Sequence, residues 1–221
     1  MAPPKITLFV DTVSPFAYEA YHILRNDPTF KTCEITYVPI FLGGLMKACN
    51  NTAPILIKNK DKWINVERLR WARTFSVPIC DEMPPNFPPL TLQVMRALCA
   101  IQHGDGQSQE RLVRSLDALF HHYWVKQIPT HEPETLKRLL GEVLGTHEAE
   151  KVLSDAATVG KKKLVENTDR AFAEGAFGLP WMTCVNSQGE TEGFWGVDHL
   201  GQVVRFLGLE RPKHGGWKSV L

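Results

Sequence analysis

Ile6-Thr7-Leu8-Phe9-Val10-Asp11-Thr12-Val13-Ser14-Pro15-Phe16 carries the chain from an apolar run through a polar turn into a helix. The run from Ile6 to Val10 is short and apolar, as a strand buried on both faces requires. Asp11-Thr12-Val13-Ser14 makes the turn. Pro15 stands where a first helical residue tolerates proline, because its missing N–H would be unpaired there anyway. Phe16, Ala20, Ile23 and Leu24 then recur at helical spacing until Asn26-Asp27-Pro28 stops the helix. Ile35 to Ile40, with Tyr37 and Val38, reads as a second strand. Residues 1–40 are therefore β-α-β.

The far end of the chain supplies complementary elements. After Gly160 a helix runs through Leu164, Thr168 and Phe172, followed by the loop Gly175-Ala176-Phe177-Gly178-Leu179-Pro180. Trp181 to Val185 and Thr191 to Trp195 read as two strands joined by the polar turn Asn186-Ser187-Gln188-Gly189-Glu190. Asp198 opens a last amphipathic helix with Leu200, Val203, Val204 and Leu207 on its apolar face, closed by Gly208. Between the two ends the pattern is helical: Lys62 to Phe75, then Leu92 to Ile101 after the proline-rich break Met83 to Pro89, then Leu112 to Trp124, Pro133 to Leu144 and Glu148 to Ala157. No internal repeat is visible. The order β-α-β, helices, α-β-β-α predicts an α/β chain with a thioredoxin-like fold interrupted by a large helical insertion. The sheet domain comprises residues 1–40 plus 166–221, and residues 41–165 form the inserted helical domain.

Composition narrows the function. Lys and Arg total 25 against 24 Asp and Glu in 221 residues, a formal charge of +1. Near-neutrality argues against neutralising a phosphate backbone, and Lys161-Lys162-Lys163 is too short to form a nucleic-acid stripe. A 43% hydrophobic and 22% charged content belongs to a folded chain, not a disordered one. No run approaches about 18 apolar residues, so no membrane span is expected. The N-terminus lacks a charged segment followed by an apolar core, so an intracellular protein is expected. Ser219-Val220-Leu221 only loosely resembles a peroxisomal tripeptide, because Val220 stands where a basic residue belongs. Cytoplasm, peroxisome and mitochondrion stay open. Five cysteines, an odd number with no C-x-x-C, favour buried free thiols over a disulfide framework or a zinc ribbon. His121 and His122 are adjacent, about 100° apart on a helix, and no H-E-x-x-H occurs, so no metal site is expected.

Ser14 is the residue where chemistry is expected. It lies at a strand-to-helix turn, facing unpaired backbone N–H groups and the positive end of the helix dipole, where an anion is stabilised. The ordinary use of serine at this place is helix capping.

Asp11-Thr12-Val13-Ser14-Pro15-Phe16-Ala17-Tyr18 resembles the opening of the kappa-class glutathione transferases and the related 2-hydroxychromene-2-carboxylate isomerases, proteins of DsbA-like thioredoxin fold. Three further segments resemble the family's motifs in the right order: Asn50-Asn51-Thr52-Ala53-Pro54, Gly175-Ala176-Phe177-Gly178-Leu179-Pro180, and Phe194-Trp195-Gly196-Val197-Asp198-His199-Leu200. The likeness spans nearly the whole chain but is specific only at these motifs. It implies a glutathione transferase active in detoxification, a homodimer, with glutathione as cosubstrate and a small electrophile as second substrate. By the same resemblance, Ser14 donates a hydrogen bond to the glutathione sulfur and favours its thiolate. Pro180 is the cis-proline facing the turn, and the backbone of Leu179 pairs with the cysteinyl backbone. Asp198 meets the γ-glutamyl amino group, Asn51 the substrate or the glycyl end, and Lys60 the glycyl carboxylate. Val197 replaces a frequent serine or asparagine, and His199 a usual arginine.

Two alternatives share these residues. One is a glutathione-dependent cis-trans isomerase of the 2-hydroxychromene-2-carboxylate type. The other is a non-catalytic glutathione-binding protein, motivated by Val197 and His199. Thiol–disulfide exchange through the turn is excluded, because Ser14-Pro15-Phe16-Ala17 holds neither cysteine of a C-x-x-C pair.

Overall fold

β1 (Lys5–Val10) is the strand about which the molecule is built: Leu8, Phe9 and Val10 are fully enclosed. The computed structural model describes residues 2–106, 108–213 and 215–220; Leu221, the end of the tripeptide considered above, lies outside them. β1 pairs in parallel with β2 (Glu34–Pro39) and antiparallel with β3 (Trp181–Val185), which pairs antiparallel with β4 (Thr191–Trp195). The sheet order is β2-β1-β3-β4. Parallel β1 and β2 need a crossover, and α1 (Pro15–Asn26) provides it.

Side-chain alternation divides the core between the two faces of the sheet. Leu8, Val10, Met182 and Phe194 point into the larger cluster with α1 and with Leu200, Val203 and Val204 of α9 (Leu200–Phe206). Phe9, Val38 and Trp181 point to the other face, against Ala171 of α8 (Lys161–Ala173) and Leu45 of α2 (Leu42–Ala48). The intervening helices are α3 (Lys60–Phe75), α4 (Leu92–Asp105), α5 (Glu110–Phe120), α6 (Pro133–Leu144) and α7 (Thr146–Asp155). The fold is a DsbA-like thioredoxin fold with a helical insertion.

The insertion is fastened to the sheet domain by specific bonds. Trp124 Nε1 donates to Thr12 O at 3.0 Å, and Tyr18 Oη donates to Pro78 O at 2.6 Å. Tyr21 Oη donates to Asp117 Oδ1 at 2.7 Å, and Arg25 pairs with the other oxygen of the same carboxylate at 3.1 Å. Gln109 completes the edge of β2: its Oε1 accepts from Tyr37 N–H at 2.7 Å, and its Nε2 donates to Ile35 O at 3.2 Å. A side-chain amide thus satisfies backbone groups that an edge strand leaves open.

Four features escape the sequence pattern. α2 is short and carries Gly43 and Gly44, both poor helix formers. Its start is fixed from outside instead, by Thr168 accepting from Phe41 N–H and Asp11 from Leu42 N–H. The helical pattern through Trp124 ends in a wide turn at His121–Val125, where Lys126 N–H bonds His121 O at 3.1 Å, five residues back. Asp198 does not cap the last helix: it lies in a tight turn, Val197–His199, and α9 begins after it. Finally, the tail returns to the body. Trp217 is fully buried between Phe30 and Phe75, and its Nε1 donates to Asp27 Oδ2 at 2.9 Å.

Because Trp217 fills space at the far end of α1 and α3, Trp217→Ala is expected to lower the unfolding free energy by about 3–5 kcal/mol. Trp217→Phe, losing mainly the hydrogen bond, should cost about 1 kcal/mol. Urea denaturation monitored by circular dichroism measures both.

Candidate active site

Register decides which loops meet. Phe9 pairs with Trp181, and Trp181 with Trp195. The turn leaving β1, the loop entering β3 and the loop leaving β4 therefore share one end of the sheet. Ser14, Leu179, Pro180, Val197 and Asp198 are gathered there from opposite ends of the chain. Gly196 N–H donates to Pro180 O at 3.1 Å, closing the loops on each other. Gly196 has φ +96, and a Cβ there would run into Asp198 Oδ1, so this turn requires glycine.

Ser14 is 5% exposed and caps α1: its Oγ accepts from Ala17 N–H at 3.1 Å. Its own N–H donates to Asp11 O at 3.1 Å, closing the turn. The cap uses a lone pair, whereas the hydroxyl proton has no acceptor among the described residues. A serine in this state is both cap and available donor.

The Leu179–Pro180 peptide bond is cis, as the resemblance implies; Phe87–Pro88 is cis as well, which no sequence signal indicated. Leu179 is 7% exposed, and among the described residues no hydrogen bond engages its N–H or C=O. Such a backbone pair suits the main chain of a peptide ligand. Asn51 is exposed, and its Nδ2 donates to Phe177 O at 2.8 Å, which ties its loop to the Pro180 loop. The Asp198 carboxylate is exposed, 3.3 Å from His199 Nδ1, and is accessible to an ammonium group. Val197 is buried in the main core and offers a ligand only its backbone.

Lys60 is less directly attached. It is the first residue of α3 and exposed, with no ion pair among the described residues. The buried stripe Ile64, Arg68, Ala72 faces α1, where Arg68 acts electrostatically on Glu19. Trp217 bridges the C-terminal ends of α1 and α3, so the two helices run in the same direction. Lys60 stands one turn before Ile64 on that stripe and so lies toward the Ser14 end.

Sequence reading passed over Asp11 except as part of a motif. It is fully buried. Its Oδ1 accepts from Val13 N–H at 3.2 Å and its Oδ2 from Leu42 N–H at 2.9 Å, and the Thr91 hydroxyl and the Thr12 backbone also favour its charged form. Burial pushes its pKa up to about 6 against the pull of those donors. Glu19 is also buried, and burial raises it well above the usual carboxylate range, with Arg68 pulling it down and Glu67 adding to the rise. A single charged residue ending an apolar strand was the available signal for Asp11. A cavity of about 310 Å³ beside Arg25, Cys33 and Gln109 opens at the opposite end of the sheet.

A family model for the DSBA-like thioredoxin domain matches residues 5–208. The chain is 30% identical over 215 residues to glutathione S-transferase kappa 2 of Caenorhabditis elegans, covering 91% of each protein. It belongs to the kappa glutathione transferase and 2-hydroxychromene-2-carboxylate isomerase family. Glutathione S-transferase kappa 1 of the same organism is 24% identical over 216 residues, covering 95% of this chain and 93% of that one. A solved 2-hydroxychromene-2-carboxylate isomerase superposes with a TM-score of 0.75 at 23% identity, covering 92% of this chain and 94% of that one. This is an enzyme family, and the chain is an enzyme.

A carboxyl whose pKa is higher folded than unfolded favours folding in its protonated form, and that stability is lost as pH rises. Between about pH 4 and about pH 7 the wild type should therefore lose about 2.4 kcal/mol relative to Asp11→Asn. The loss should fall between the free carboxyl's 3.8 and about 6. Paired urea titrations across that range measure it.

Proposed function

We propose that this enzyme binds glutathione at the Ser14 end of the sheet and activates it as a thiolate for attack on a small electrophile, as a kappa-type transferase. The observation carrying the reading is the Ser14 hydroxyl, held by Ala17 N–H through its oxygen while its proton is left to donate. The requirement is modest. A free thiol of pKa about 8.5 is about 3% ionised at pH 7. Lowering that pKa by about two units takes about 2.7 kcal/mol. A hydrogen bond to a charged acceptor contributes roughly 1.5–3 kcal/mol, and the N-terminus of a helix such as α1 about 0.3–1 kcal/mol. No dedicated base is needed. The sulfur lone pair then forms the bond to the electrophilic carbon, and the leaving group departs with its electron pair.

In this reading the Leu179 backbone beside Pro180 pairs with the cysteinyl backbone. Asp198 takes the γ-glutamyl ammonium, and the backbone at Val197 lies against that end of the ligand. Asn51 and Lys60 take the glycyl end. Residues 1–40 and 166–221 supply the thiol, cysteinyl and γ-glutamyl side of the glutathione site, and the inserted block 41–165 its glycyl end and the wall toward the electrophile. The role is detoxification within the cell. The similarity to 2-hydroxychromene-2-carboxylate isomerases favours a second reading of the same site. There the thiolate adds to an unsaturated carbon, a bond rotates, and glutathione leaves unconsumed.

Glutathione titration of wild type and Ser14→Ala tests the reading, with calorimetry for affinity and ultraviolet absorbance for thiolate. The variant should keep binding while the bound thiol's pKa rises by about two units. Absence of binding to the wild type, or an unshifted pKa in the variant, overturns it. Glutathione consumption per product formed separates transferase from isomerase.

The homodimer is also part of the proposal. Trp63 and Val66 on the outer face of α3, with Leu56 and Ile57 just before it, expose an apolar patch where a monomer would meet water. Light scattering should give a dimer mass for wild type and a monomer mass for Trp63→Glu. A monomeric wild type removes the dimer, and an unchanged mass for the variant removes this face from the interface.

A further inference from the structure

Asp11 stands at a junction of three segments. The first is its own turn, where it accepts from Val13 N–H and its backbone oxygen accepts from Ser14 N–H. The second is the start of α2, through Leu42 N–H; α2 leads directly to Asn51, whose N–H is bonded to Met46 O at 2.8 Å. The third is Thr91, the residue before α4. Thr91 is buried and occupies the cap position of α4, but its hydroxyl makes no cap bond and instead favours the charged form of Asp11. The same helical block holds Thr12 from both sides, with Trp124 donating to its carbonyl and its hydroxyl reaching Met95 Sδ at 3.8 Å.

Among the described residues no cation pairs with this carboxylate: it accepts from the amides of Leu42 and Val13, and the Thr91 hydroxyl and the Thr12 backbone also favour its charged form. From α4, the Cys99 thiol also feels its charge, though burial is the main cause that pushes that thiol up to about 12. An unpaired buried carboxylate costs stability. Two backbone amides from separate segments, one in its own turn and one at the start of α2, converge on it and explain what it does there. Only a carboxylate offers two oxygens that accept from all sides.

We propose that Asp11 is a positioning residue: by bracing the turn against α2, with the Thr91 hydroxyl favouring its carboxylate, it sets the aim of the Ser14 hydroxyl and its spacing from the Asn51 loop. The catalytic part of this proposal rests on the reading of Ser14 given above. Asp11 acts through geometry and not through its charge, and the two have opposite signs. A buried anion close to a bound thiolate raises the thiol's pKa, so removing its charge alone lowers that pKa. Losing the brace misdirects the hydroxyl and raises it.

The test compares wild type, Ser14→Ala, Asp11→Asn and Thr91→Val. Bound-thiol pKa is read from thiolate absorbance, glutathione affinity from calorimetry, and amide hydrogen exchange at Ala17, whose N–H reports where the Ser14 oxygen points. Asp11→Asn should raise the bound thiol's pKa by about one unit with affinity reduced no more than about threefold. Thr91→Val should move the pKa the same way by less, and both variants should speed exchange at Ala17. A lowered or unchanged pKa in Asp11→Asn, or unchanged exchange at Ala17, overturns the brace. Should Asp11→Asn fail to fold, Thr91→Val decides by the same criteria. A wild type that forms no thiolate overturns the reading of Ser14 instead, and Ala17 exchange then decides the brace alone.

Discussion

The pairing of Phe9 with Trp181 is the constraint on which the site depends. It joins strands from opposite ends of the chain, and it fixes by register which loops become neighbours. A slip of one residue would turn Phe9 and Trp181 toward the wrong core and carry the Pro180 loop off the Ser14 turn. Such a slip is opposed on both faces at once, because Leu8 and Met182 fill one cluster while Phe9 and Trp181 fill the other. Each face therefore proofreads the other.

The inserted helices do more than wall a pocket. Trp124 and Met95 both reach into the turn between β1 and α1, and Tyr18 reaches back from α1 to Pro78. The turn itself is only four residues long, and by its own bonds it would be soft. Its rigidity comes from a block more than fifty residues away along the sequence, as the separation of Thr12 from Met95 and Trp124 shows. Below it, Glu19 and Arg68 form a second buried polar region between α1 and α3. Arg68 spends its donors on Asn65, Cys80 O and Asp81 O, and both Glu19 oxygens lack a hydrogen-bond partner among the described residues. Burial raises that carboxyl well above the usual range, with the Arg68 charge pulling it back down.

Elements with strong periodicity were legible in the sequence. Trp181–Val185, Thr191–Trp195 and Pro133–Leu144 begin and end where alternation, glycine and proline place them. What was not legible depends on partners distant in the chain. α2 forms through acceptors on Asp11 and Thr168, and the Trp217 anchor exists only because α1 and α3 end side by side. Ser14, Leu179, Pro180, Val197 and Asp198 were nameable from motifs, and the register accounts for their proximity. Asp11 was not, because an aspartate in a turn is unremarkable until the strand before it is seen to carry it into the core.

Capping first looked like the rival explanation for Ser14. The geometry makes it a condition of the chemistry. A free serine hydroxyl samples several rotamers and must give up that freedom to direct a bond, whereas this one is already fixed through its oxygen by Ala17 N–H. The bond that satisfies the helix end takes up one lone pair of that oxygen and leaves its proton to donate. Preorganisation of this kind carries no reorganisation cost when a charged acceptor arrives. A thiolate bound there also meets the positive end of α1, whose remaining N–H groups point the same way. On the proposed reading the absence of cysteine from Ser14-Pro15-Phe16-Ala17 is then coherent: the turn needs only a fixed donor when the sulfur is brought in by the substrate.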